Sequence, residues 1–273
     1  MVNYIRNFYY LLKQIFILLK NSGSLKFNSE IGCFVCKKKV NDVEIILPVR
    51  SRKILTRINN FGSSNDIVFD WINDLSNIRN FLDIGSANGL EGIFVHNKYR
   101  CKVIFIEMYI PSLDDLLKTQ YLCKEKNVNI EIFQGAITSK SSLSKVYNHS
   151  PPKSGGTFNS YDIKRSPFFF KKQKIETSYW SLGLSIDDFL LRTKLDFPSH
   201  IKIDVDGYES EIIKGCLKLL KSGKVKEYMI EMSSDSEKFI YKSMKSYGYV
   251  EIKKGMHKNG NWDSLFVKKN NIS

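Results

Sequence analysis

The stretch Asp83-Ile84-Gly85-Ser86-Ala87-Asn88-Gly89 follows a short apolar run and opens a periodic one at Leu90. A strand that turns through glycines into a helix exposes bare backbone to a ligand. The free N–H groups of the helix's first turn can then hold a carboxylate or a phosphate. The glycines are spaced G-x-x-x-G rather than G-x-G-x-x-G, which argues against a dinucleotide and suits S-adenosylmethionine. Asp83, Gly85, Ser86, Asn88 and Gly89 are therefore candidate cofactor contacts. Glu107 closes the next apolar run, in the place where an acid roughly 20 residues beyond such a turn accepts ribose hydroxyls.

A second constellation is Ile201-Lys202-Ile203-Asp204-Val205-Asp206-Gly207-Tyr208-Glu209. Read as a strand over Ile201–Val205, it places Ile201, Ile203 and Val205 on one face and Lys202 and Asp204, with the adjoining Asp206, on the other. A central parallel strand is apolar on both faces, so charges here are costly unless paired or functional. Gly207 lets the chain turn at the carboxyl edge of the sheet, where ligands bind in open α/β folds. Lys202, Asp204, Asp206 and Glu209 are candidate catalytic residues.

The elements that must position these residues alternate. Strands are expected at Phe81–Ile84, Val103–Ile106, Ile130–Phe133, Ile201–Val205 and Tyr228–Glu231. Helices are expected at Leu90–Asn97, from Pro111 to about Lys126, from Glu209 to Leu220 and at Lys238–Ser246. Tyr249–Ile252 and Ser264–Val267 read as a final strand pair. Such alternation predicts a parallel sheet covered by helices on both faces. Residues 138–180 interrupt it; rich in Ser, Lys, Pro and Gly, with the run Phe168-Phe169-Phe170, they read as an insertion or lid. Ser185 and Asp188 then fit a capping box. Upstream, residues 21–60 read as a polar link followed by strands at Cys33–Lys38 and Val43–Val49, and Gly62–Asp66 as a turn capping a helix through Trp71–Leu75.

The 273 residues carry 42 basic and 28 acidic side chains, a net charge of +14. That balance favours polyanions, phosphate-bearing substrates or an anionic membrane surface, and equally reflects a Lys- and Asn-rich composition. Five cysteines in a chain of this size argue against a disulfide framework, and the lone Cys33/Cys36 pair lacks the second pair of a zinc site. No apolar run is long enough to span a bilayer. Tyr4–Leu19 is mostly aromatic and aliphatic, with Arg6, Lys13 and Lys20 recurring every seven residues beside Asn3, Asn7 and Gln14. Such a helix suits a membrane interface, packing on the body of the protein, or dimerisation.

Taken together, FLDIGSANG, the FIE ending in Glu107, Gly135-Ala136, SIDDFL, IKIDVDGYE, the IEM around Glu231 and WDSLFVKK resemble the FkbM-type S-adenosylmethionine-dependent methyltransferases. The resemblance runs from about Arg79 to Lys268. It implies a class I methyltransferase fold: a Rossmann-like, doubly wound, mostly parallel seven-stranded sheet with a C-terminal antiparallel strand, here behind an N-terminal helical extension (1–60, then 61–273 as the methyltransferase domain). It also implies S-adenosylmethionine as donor and O-methylation of sugars in polysaccharides or glycolipids, or of secondary metabolites. By carry-over, Asp83, Gly85 and Gly89 surround the methionine moiety, Glu107 holds the ribose, Gln134, Gly135 and Ala136 lie near the adenine, and Asp204 and Glu209 face the acceptor. Asp206 stands where the family often has Glu.

A sugar hydroxyl is a poor nucleophile, and Asp204 is the expected base or orienter, with Glu209 second. His96, His149, His200 and His257 read as ordinary surface or strand-end histidines. The acids near one another leave a divalent ion undecided. RNA methylation is the alternative that the charge suggests, although the strand ends in Asp-Val-Asp-Gly without N/D-P-P-Y. A non-catalytic, membrane-associated scaffold of the same fold is a third reading. The sequence expectation for location is cytoplasmic, peripheral at the inner membrane face, with a lipid-linked acceptor.

Overall fold

The computed structural model describes residues 2–20, 23–63, 66–123, 129–156, 159–164, 174–257 and 259–269. The Phe168–Phe170 run and the expected end of the Pro111 helix lie outside them.

The central sheet is built from β4 (Asn80–Ile84), β5 (Lys102–Glu107), β6 (Ile130–Gln134), β11 (His200–Ile203), β12 (Glu227–Met232), β13 (Tyr249–Met256) and β14 (Trp262–Lys268), in the order β13-β14-β12-β11-β4-β5-β6. Pairings are parallel from β6 through β12; β14 runs antiparallel to both of its neighbours. This is the expected doubly wound sheet with its reversed C-terminal strand. β4 is buried at every residue, as a central parallel strand must be. Its order reverses between β4 and β11, which start crossovers on opposite sides. The switch point opens a crevice at their carboxyl ends.

Helices α4 (Leu90–Tyr99) and α5 (Ile110–Cys123) cover one face, with α6 (Ile186–Thr193), α7 (Glu209–Lys214), α8 (Leu217–Ser222) and α9 (Ser234–Ser246) on the other. Ser185 caps α6 by accepting from Asp188 N at 3.1 Å. The single helix expected over Glu209–Leu220 is broken at Gly215, whose Cα sits against Thr138 O; a Cβ there would lie 2.2 Å from it. Asp187 caps the second piece by accepting from Lys218 N and Leu219 N. The strand expected through Val205 ends at Ile203, with Asp204 N donating to Ile84 O at 3.0 Å as the last bond of its ladder with β4.

Two regions are richer than their composition suggested. The 21–60 link holds β1 (Ser24–Asn28), which with β2 (Cys33–Val40) and β3 (Val43–Val49) forms an antiparallel sheet, and a helix, α2 (Arg52–Asn60), capped by Ser51 Oγ. One apolar core runs across residue 60: Ile45, Leu47, Leu55 and Ile58 pack with α3 (Ile67–Asn73) and with Phe81, Phe94 and Val103. The 138–180 stretch, expected as an insertion, supplies β8 (Ser142–Asn148), β9 (Ser160–Tyr161) and the first half of β10 (Thr177–Leu184), which with β7 (Ala136–Ile137) make a second, four-stranded sheet. N-terminal helix α1 (Val2–Lys20) packs on α2.

Candidate active site

The Gly85 turn and the Asp204 loop are built back to back. Gly85 has φ +80°, and a Cβ on it would lie 1.9 Å from Asp204 O. Ser86 is fully buried beneath the turn, where its Oγ donates to Asp83 O at 2.6 Å and accepts from Ile106 N at 3.1 Å, stitching β4 to β5. Ala87, itself at φ +50°, donates its N–H to Glu107 Oε2 at 2.9 Å, and Tyr109 N donates to Oε1 at 2.8 Å. The Glu107 carboxyl is thus oriented before any ligand arrives. Burial pushes it up to about 7, against the pull of these backbone donors.

A cleft of about 360 Å³ opens over this floor. Among the sequence-predicted residues, Gly85, Glu107, Gly135, Ala136, Asp204 and Asp206 line it. Gly135 N donates to Glu107 O at 3.1 Å, so β6 and β5 present their ends together. The other predicted residues lie off the cleft wall. Gly89, at φ +78°, starts α4 against Leu116 and Phe105. Asn88 is buried, with its Oδ1 3.5 Å from Arg57 Nη1. Gln134 is exposed on the outer strand β6.

Asp83 and Lys202 form a buried layer below the cleft. Lys202 Nζ lies 3.0 Å from Asp204 Oδ2 and 3.7 Å from Asp83 Oδ1. Burial alone would deprotonate the lysine, but the two carboxylates outweigh it and hold the ammonium well above its ordinary range. Asp83 is fully buried and neither oxygen has a hydrogen-bond partner; burial pushes its carboxyl up to about 6 despite Lys202. Asp204 has a side chain 41% exposed, toward the cleft. Burial would raise its carboxyl, yet Lys202 and Arg57 hold it below the usual carboxylate range. It is an ionised hydrogen-bond acceptor at neutral pH and a weak base.

Glu209 is placed differently from the expected acceptor-facing position. It is buried, and its Oε1 accepts from Val205 N at 3.2 Å and Gly207 N at 3.0 Å. It shapes the 205–207 loop, in which Asp206 takes a left-handed φ of +57°, and burial raises its carboxyl to about 8. Asp204, Asp206 and Glu209 therefore do not converge on one point, and among the described residues no cluster of His, Cys, Asp or Glu is arranged as a metal site.

Several cleft residues escaped the sequence reading. Lys53, Ile54 and Arg57 come from α2, and Arg57 Nη2 donates to both oxygens of Glu91 at 2.8 Å each. The signal was present: Ser51 as a cap, with Ile54, Leu55 and Ile58 at helical spacing. Tyr109 closes another wall; Lys153 N donates to its hydroxyl at 2.9 Å, and the hydroxyl meets Gly156, where a Cβ would lie 2.7 Å away. Beyond Asp204, His257 Nε2 lies 2.7 Å from Asp263 Oδ2 and its Nδ1 3.6 Å from Glu231 Oε1. These partners raise the imidazole to about 10. The histidine expected as an ordinary loop residue thus helps hold Asp204 ionised.

A family model described as the methyltransferase FkbM domain matches residues 83–251. The chain belongs to the FkbM methyltransferase family. Its central sheet is that of the class I methyltransferase fold. The FkbM match begins after α2, so Lys53 and Arg57 reach the family's cleft from outside the matched region. The chain is similar to the FkbM methyltransferase of Methylobacillus flagellatus KT, at 17% identity and TM-score 0.51, over 71% of this chain and 44% of that one. It thus spans less than half of that protein's length. It is also similar to Aeropyrum pernix fibrillarin crystallised with S-adenosyl-L-methionine, at 10% identity and TM-score 0.43, covering 90% and 94% of the two chains. The METTL16 methyltransferase domain aligns at 12% identity and TM-score 0.47, covering 96% and 92%. No curated protein matches the sequence.

Proposed function

We propose that the protein transfers a methyl group to a hydroxyl of a sugar, in a polysaccharide or glycolipid, or of a secondary metabolite. The observation that carries this reading is the ionised Asp204 carboxylate, open to the cleft and fixed from below by buried Lys202 at 3.0 Å. Bound S-adenosylmethionine supplies an electrophilic methyl on a sulfonium. Gly85 and Ala87 offer it close backbone, Glu107 accepts from the ribose hydroxyls, and Gly135 and Ala136 bound the adenine end. Asp83, Ser86, Asn88 and Gly89 act from beneath, by setting the turn. Asp204 accepts a hydrogen bond from the acceptor hydroxyl and aligns its lone pair with the methyl. Its low proton affinity makes it an orienter first, and the hydroxyl proton would pass to water as the C–O bond formed and the methyl–sulfur bond broke, leaving a neutral thioether. Asp206 and Lys53 flank the acceptor. Residues 1–20 provide peripheral contact with the cytoplasmic membrane face, where a lipid-linked acceptor would be met.

Calorimetric titration with S-adenosylmethionine, beside Glu107→Ala, tests the donor half. Binding in the parent and clear weakening in the variant are expected; a well-folded parent that binds nothing would leave the scaffold reading in front. The net charge of +14 favours one competitor, RNA as acceptor. Methyl transfer to bulk RNA, with none to glycans or lipid-linked sugars, would put it first.

A further inference from the structure

Helix α1 turns Gln14 and Leu18 inward. Gln14 is buried, and its Oε1 accepts from Asn59 Nδ2 on α2 at 2.8 Å. Leu18 is fully buried beside it. The opposite side is apolar and open: Phe8 is 63% exposed, Leu12 48%, Phe16 68% and Leu19 57%. Their spacing of four, four and three residues makes one stripe along the helix. A contiguous apolar stripe on a monomer surface calls for a partner. The basic stripe expected to face water is represented among the described side chains by Lys13, exposed at the border of the apolar face, whereas Gln14 has turned into the protein. Arg52 lies 4.6 Å over the ring of Tyr10, one turn from Lys13 on the same side of the helix.

Two occupants fit an apolar stripe with a cationic border. A second copy would bring identical faces together, setting Lys13 and Arg52 against their own counterparts on chains that each carry +14. An anionic bilayer surface instead meets the cations with opposite charge and takes the phenylalanines and leucines into its acyl boundary. No helix among the described residues is long and apolar enough to cross a membrane, so α1 would lie in the plane of the surface.

We propose that α1 docks flat on an anionic bilayer, with Phe8, Leu12, Phe16 and Leu19 inserted and Lys13 and Arg52 among the headgroups. This deepens the membrane contact proposed above for residues 1–20 by assigning its face and its lipid chemistry. It also links the membrane to the cleft: α1 packs on α2, and α2 presents Lys53, Ile54 and Arg57 to the site. An acceptor anchored in the bilayer would enter beside the helix that docks.

The test is flotation of the full chain with two kinds of vesicle, phosphatidylcholine alone and equal parts phosphatidylcholine and phosphatidylglycerol. The parent should float with the anionic vesicles and far less with the neutral ones. Leu12→Glu/Phe16→Glu alters only exposed side chains, so its melting curve should match the parent's. Its vesicle binding should fall roughly tenfold or more, because two inserted side chains are lost. Lys13→Glu should weaken binding to the anionic vesicles only. A parent that floats with neither vesicle, or a double variant that floats as well as the parent, overturns the proposal. So does a parent dimer in sedimentation that the double variant abolishes while vesicle binding is absent, which would give the face to a second copy. These readouts involve no methyl transfer, so their failure is distinct from failure of the enzymatic reading.

Discussion

A Cβ on Gly85 would fall 1.9 Å from the carbonyl oxygen of Asp204. The glycine turn and the loop that carries Asp204 are therefore each other's floor, and neither can move without the other. Asp204 N in turn donates to Ile84 O at 3.0 Å, one residue before the glycine.

Gly85→Ala should destabilise the fold by about 3 kcal/mol or more, since a methyl at φ +80° meets rigid backbone rather than a side chain. Gly89→Ala is the comparison. Its φ is similar at +78°, but the nearest atoms belong to the Leu116 and Phe105 side chains, which can give way. Its cost should be the smaller of the two, about 1–3 kcal/mol. Urea denaturation of the pair measures the difference, and equal costs would mean that the Asp204 contact does not constrain the turn.

Cofactor affinity should rise with pH across the titration of Glu107. The carboxyl is raised to about 7 by burial, and only its ionised form accepts strongly from ribose hydroxyls. Affinity for S-adenosylmethionine should strengthen as pH climbs through that value, and Glu107→Gln should flatten the profile. Stability runs the other way. The folded state binds a proton that the unfolded state has released, so between the ordinary value of 4.5 and about 7 Glu107 makes the fold less stable as pH rises. Calorimetry across that range, with melting at each pH, separates the two effects.

The sheet was legible because its signals are local. Asp83 to Gly89 and Glu107 mark strand ends by apolar runs that stop at a glycine or an acid, and the parallel order follows from alternation. The acceptor side was less legible because it depends on which way a side chain turns at a strand's end. Alternation put Lys202 and Asp204 on one face, but β11 ends at Ile203, and Asp204 reaches the cleft from the loop while Lys202 stays under it. Glu209 looked equally free, yet two backbone N–H groups two and four residues earlier take its carboxylate. Arg57 and His257 are brought in over long sequence separations, from α2 and from the approach to β14, which no local pattern announces.

Asp204→Asn should lower turnover by about 10²-fold or more while leaving affinity for S-adenosylmethionine within a few-fold. Asparagine keeps the shape but loses the charge that Lys202 and Arg57 stabilise. Lys202→Met is the complement. It leaves the buried Asp83 carboxylate uncompensated and should cost about 3–5 kcal/mol at neutral pH. The loss should shrink on acidification, as Asp83 takes up its proton. Steady-state kinetics on the first variant and denaturation against pH on the second check them; unchanged turnover in Asp204→Asn would remove that residue from the mechanism.

His257 gives the last prediction. Its bonds to Asp263 and Glu231 raise the imidazole to about 10, so it should stay protonated across the neutral range. A base whose folded value is raised stabilises the fold fully below its unfolded value near 6.5, and that contribution fades as pH climbs from there to about 10. Asp263→Asn removes the partner at 2.7 Å and should bring the imidazole back toward its ordinary value. The ring proton resonances would then titrate near neutrality instead of above it. The acid limb of the pH–rate profile, set by Asp204 below its ordinary 3.8, should not move upward in this variant, because an imidazole at its ordinary value is still protonated there. A His257 titration that stays above neutrality in Asp263→Asn would show that Asp263 is not what raises it.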